Sequence, residues 1–164
     1  MLSVMKRALM ILLSLALSLS LTGCGQQAAA PAPGTPVASF YEAILAAQPE
    51  DAEELILFEE SDPALIGSFY AGLDSIELSQ QVFYMPPIVT HPCEIVLVEV
   101  KNGADVQAVA DIFRARIQQG ADNLAYPDSA EGWQKYAQVQ QSGNFLAMIV
   151  LPEGYTVPEN VFVG

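Results

Sequence analysis

The sequence predicts an α+β fold: a two-layer sandwich with a mostly antiparallel sheet of about four strands and helices on one face. Three observations predict it. Residues 93–100, CEIVLVEV, are nearly continuous in apolar and β-branched side chains, as expected of a central strand covered on both faces. In the stretch DVQAVADIFRARIQQ, Val106, Val109, Ala110, Phe113 and Ile117 recur at helical spacing and form one apolar stripe. Finally, AQVQQ, SGN and FLAMIVL read as strand, turn and strand. Strands joined by short links favour antiparallel pairing, and the order helix, strand, strand, helix, strand, strand suits two layers.

The elements follow in chain order. Lys6 and Arg7 precede an unbroken run of apolar and small residues from Ala8 to Leu21, the composition of a secretory signal. The run is short for a membrane span, which needs ~20 apolar residues. It closes with Leu21-Thr22-Gly23-Cys24, which resembles the bacterial lipobox. That resemblance implies cleavage between Gly23 and Cys24 and transfer of a diacylglycerol to the Cys24 thiol. Residues 1–23 are thus expected to be a lipoprotein signal peptide, and 24–36 a lipidated cysteine with a flexible tether. The tether, GQQAAAPAPG and its flanks, has no periodicity and spans ~17 Å as a coil.

A single α+β domain is expected over 37–164. Thr35-Pro36 is a good helix opening, followed by Val37, Phe40, Tyr41 and Ile44 on one face, and Pro49 ends it. Asp62-Pro63 can start a short helix through Tyr70 that stops at Gly72. SIELSQQVFYM alternates as a strand over roughly 76–85, and the prolines of PPIVTHP make 86–92 a loop. Lys101-Asn102-Gly103 turns the chain, Asp105 can cap the long helix and Gly120 can stop it. Asp128 and Glu131 have the spacing of a capping box on a helix reaching Tyr136. PEGYTVPENVFVG is a loose end with room for one extended piece.

Charge and cysteine content exclude several functions. Six basic residues stand against 19 acidic ones. Losing Lys6 and Arg7 with the leader would leave four, a net charge of −15. Nucleic-acid binding needs clustered Lys and Arg, whereas Lys101, Arg114, Arg116 and Lys135 are scattered. With Cys24 lipidated, Cys93 has no partner within the chain, so the domain must fold without a disulfide.

Candidate chemistry is sparse. His91-Pro92-Cys93 holds the single His and the second Cys, and a Cys–His nucleophile needs the imidazole to lower the thiol pKa. The simpler reading is a loop histidine beside a buried cysteine that opens a core strand. A soft-metal set of His91, Cys93, Met85 and Met148 lacks motif spacing. The acidic run Glu50, Asp51, Glu53, Glu54, Glu59, Glu60 and Asp62 lacks the alternating ligands and mid-loop glycine of a calcium loop, and reads as a solvated face. No catalytic residue, metal site or cofactor is therefore assigned. Arg116, at the edge of the buried stripe, is the one candidate binding residue; the competing reading is a structural strap to a carboxylate or main chain.

The stretches FYEAI, FYAGL, CEIVLVEVKN, DVQAVADIFRARIQQ and YPDSAEGWQKYAQVQQSGNFLAMIV together resemble a family. It is that of the small bacterial, Firmicutes-type lipoproteins carrying domain of unknown function 4358. The likeness runs over roughly 36–151, with Tyr70, Gly72, Arg116, Tyr126, Pro127, Gly143 and Asn144 as marked positions. Phe145 stands where the family usually has Tyr after Gly-Asn. The resemblance implies the fold and the location, and no activity.

The expectation is a membrane-anchored extracytoplasmic lipoprotein: a non-enzymatic binding or accessory module at the cell envelope. Its partners would be the membrane, through the lipid on Cys24, and an envelope protein or ligand, with no nucleic acid. A cell-envelope enzyme with an unrecognised site is the alternative.

Overall fold

The computed structural model describes residues 29–88 and 91–163. Cys24, the expected leader and residues 25–28 of the expected tether lie outside them. The described chain runs α1 (Val37–Ala46), β1 (Phe58–Glu59), α2 (Pro63–Phe69), β2 (Leu78–Met85), β3 (Glu94–Val100), α3 (Val106–Ala121), α4 (Pro127–Tyr136), β4 (Gln138–Ser142) and β5 (Phe145–Val150). Short 3₁₀ turns at Leu73–Ser75 and Gly103–Asp105 lead into β2 and α3. All strand pairs are antiparallel, in the order β1-β2-β3-β5-β4.

The α+β class stands, with corrections to strand count, helix placement and element order, which is helix, strand, helix, strand, strand, helix, helix, strand, strand. The sheet has five strands, because Phe58–Glu59 adds a two-residue edge strand against Tyr84 and Met85. Helices also cover both faces. Every residue of β3 and β5 is buried, so side chains of both parities need a partner layer. On one face Val96, Val98, Leu146, Met148 and Val150 pack against Val109, Phe113 and Trp133 of α3 and α4. On the other, Ile95, Leu97, Phe145, Ala147 and Ile149 pack against Val37, Phe40 and Ile44 of α1. The chain end completes that second layer: Val161 and Phe162 are buried there without forming a strand.

Several helix ends differ from the sequence expectation. Thr35 does not cap α1; its hydroxyl donates to the Ala32 carbonyl, and the Val37 N–H is met by Gln80 Oε1 from β2. Asp105 makes no side-chain cap, whereas Asn102 Oδ1 accepts from the Ala104 N–H. α4 begins on Pro127 without a capping box, and Glu131 instead pairs with Lys135. Asp62 does cap α2, accepting from the Ala64 N–H at 2.8 Å. Gly120 lies inside the last turn of α3, where an added Cβ would overlap the Trp133 indole, so it is a close-packing residue. Gly143 takes φ 58° at the β4–β5 turn, which favours glycine.

Candidate functional site

The sheet has two poles. Glu99 of β3, paired with Phe145, lies at one, together with the Gly143 turn. Cys93, just before β3, lies at the other, ~20 Å away along an extended strand. Each pole carries different chemistry.

At the first pole the segment before α1 meets the sheet. Glu99 points to the α1 face because it shares the parity of Ile95 and Leu97, and it is buried. Its carboxylate accepts from the Gly34 N–H at 2.9 Å and from Gln80 Nε2 at 2.8 Å. Gln80 also donates to the Thr35 carbonyl and accepts from Val37 N–H, so one amide and one carboxylate fix the entry to α1. Ala30 lies beside Gly143, at 3.1 Å from where a Cβ would be.

At the opposite pole three loops border a cavity of about 670 Å³: residues 49–56 after α1, the described residues 86–88 and 91–93 between β2 and β3, and residues 152–155 after β5. That volume lies within the ~300–1,000 Å³ of small-ligand sites. The lining is mostly apolar, with Leu55, Ile56 and Ile88 joined by four prolines and Tyr155. Ile56 is 65% exposed and Ile88 57%, unusual for isoleucines that could have been buried. Asp51, Glu53, Glu54 and Glu153 also line the cavity and are exposed. None of them forms an ion pair among the described residues. Tyr155 braces two of the loops by donating its hydroxyl to the Glu53 carbonyl at 3.0 Å. Gln48 ties α1 to the last loop, exchanging bonds with both backbone groups of Thr156.

His91 and Cys93 both border this cavity. The Cys93 side chain is buried on the α1 face, and its thiol is pushed from 9.0 up to about 12, first by desolvation and then by the Glu94 charge. A nucleophilic thiol needs the opposite shift. Met148 is buried on the α3 face, so the sheet separates it from Cys93 and the four-residue metal set is not assembled. The acidic run is divided: Asp51, Glu53 and Glu54 border the cavity, Glu60 accepts from the Ser61 and Asp62 N–H groups, and Asp62 caps α2. Among the described residues no group of three or more His, Cys, Asp or Glu is placed to hold a metal ion.

Arg116 lies on the α3 face, away from the cavity lining, and is 7% exposed. Its Nη2 donates to Glu94 Oε2 at 2.6 Å and its Nε to Oε1 at 3.3 Å. The guanidinium sits between the rings of Phe69 and Trp133, at 4.6 and 4.3 Å from their centroids. Tyr70 donates its hydroxyl to the same Glu94 carboxylate, and burial followed by that charge holds the phenol well above its usual pKa. No buried side-chain nitrogen or oxygen of this cluster lacks a hydrogen-bond partner, which is the geometry of a strap between α2, α3 and β3. Pro92, between His91 and Cys93, rests on α4, where a side chain at Gly132 would overlap its ring.

The sequence alone missed Glu94, Glu99 and the cavity. A signal for the first two was present: glutamates at positions of opposite parity in an apolar strand must each find a partner on a different face.

The family described as Domain of unknown function (DUF4358) matches residues 59–151. The chain belongs to that family. No curated protein and no solved structure matches the chain. The DUF4358 match covers β1 to the end of β5, including the Glu94–Arg116–Tyr70 strap and the central loop of the cavity. Two of the three cavity loops, 49–56 and 152–155, lie almost wholly outside it, as does α1. No helix among the described residues is long and apolar enough to cross a membrane.

Proposed function

We propose that this chain is an extracytoplasmic lipoprotein, anchored through a lipid on Cys24, whose α+β domain is a non-enzymatic binding module with the loop-pole cavity as its site. The observation that carries this is that the segment entering α1 and the cavity lie at opposite ends of β3. A chain held to a membrane through residues before Gly34 would present the cavity away from the lipid surface. The lipobox after an apolar leader supplies the anchor, and two or more acyl chains on Cys24 would hold the domain stably. The net negative charge would repel anionic headgroups and keep the domain off the surface. An enzyme would need an activated group in the cavity, and the Cys93 thiol is deactivated by burial.

Two measurements on one strain test this. Mass spectrometry of membrane-extracted protein is expected to find a diacylated peptide beginning at Cys24. An impermeant maleimide applied to intact cells is expected to modify an Ile56→Cys variant. An uncut leader, an unmodified Cys24, or labelling of Ile56→Cys only after lysis would contradict the proposal.

A further inference from the structure

We infer that the loop-pole cavity receives a segment of another polypeptide that presents an apolar side chain flanked by lysine or arginine. This deepens the proposed function and rests on it. The cavity combines two demands that one occupant must meet. Its walls are apolar, and Ile56 and Ile88 are exposed at it, so an occupant gains by covering them. Carboxylates stand beside those walls on two loops, with Asp51, Glu53 and Glu54 on one and Glu153 on the other. A neutral apolar occupant would leave them unused, and an acidic one would be repelled. A basic group beside an apolar side chain satisfies both.

The shape favours a chain segment. The cavity is a trough open between its loops rather than a closed pocket. Cleft walls of one charge sign concentrate oppositely charged partners and speed their capture. The surrounding field has the same sign, because the domain carries far more acidic than basic residues.

The test is a fluorescence-anisotropy titration of the full lipidated chain in phosphatidylcholine nanodiscs, with empty nanodiscs as the control. The probe is the labelled peptide Lys-Leu-Lys-Leu-Lys. It is expected to bind saturably, at least tenfold more tightly than Glu-Leu-Glu-Leu-Glu or Lys-Ser-Lys-Ser-Lys. Ile88→Ser and the pair Glu54→Gln with Glu153→Gln are each expected to weaken it about tenfold; these exposed positions leave the fold intact, which melting temperature verifies. Equal binding of the acidic peptide, binding unaffected by Ile88→Ser, or binding of octylamine without the peptide would each overturn the inference. Those outcomes leave the anchor and the outward cavity standing, since mass spectrometry and maleimide labelling read these separately.

Discussion

Glu94 and Arg116 form a buried pair in which each charge depends on the other. Glu94 is 1% exposed and faces α3; its carboxylate takes two bonds from Arg116 and one from Tyr70. Removing the guanidinium leaves a buried carboxylate with only a phenol, and strips a packed group from between Phe69 and Trp133. Breaking a buried pair in this way costs about 3–5 kcal/mol. Arg116→Ala is therefore expected to lower stability by that amount in a denaturant titration. Glu94→Gln with Arg116→Met, which removes both charges, is expected to lose clearly less. A single Arg116→Ala loss below about 1 kcal/mol would show that the strap contributes little. The position of Arg116 at the edge of an apolar stripe is legible in the sequence, because helical spacing alone puts it beside Val109 and Phe113. Its partner is not legible, because Glu94 lies 22 residues earlier and reads locally as the polar end of a strand.

At the scale of elements, the strong periodicities survive and the junctions do not. β3, β5 and α3 lie where apolar patterning puts them, since burying those residues dominates the local energy. Helix caps change hands: Gln80, 43 residues along the chain, serves α1, and Asn102 caps the turn before α3 in place of Asp105. Gln48 and Gln140 do the same for the chain end, where Gln140 takes the Val161 N–H and donates to the Pro158 carbonyl. A glutamine in a polar-looking strand gives no sign of such a role. The same holds for Gly120, whose spacing suggests a helix stop and whose neighbour Trp133 gives the real reason. Gly120→Ala would gain about 1 kcal/mol of helix propensity, but forcing a methyl into the indole costs typically ~1–3 kcal/mol. The expected net effect is a lower melting temperature, with α3 and α4 displaced. A rise in melting temperature would mean that Trp133 moves aside freely.

The whole molecule places the segment leading into α1 at one pole and an apolar, carboxylate-lined cavity at the other, with a doubly covered sheet between them. The proposed tether rests on composition and the proposed lipobox on residue order, and Cys24 lies outside the described residues. The cavity could not be read in the sequence, because it is assembled from residues 49–56, 86–88, 91–93 and 152–155, none of which carries a motif. The acidic run that reads as a solvated face contributes three of its carboxylates to that cavity. The most direct test of the central claim is site-specific photocrosslinking in the intact envelope, with a photoreactive residue at Ile56 or at Gln141, an exposed position on β4 near the tether pole. The account predicts a discrete cross-linked protein from Ile56 and none from Gln141. A discrete product from Gln141 alone would contradict it.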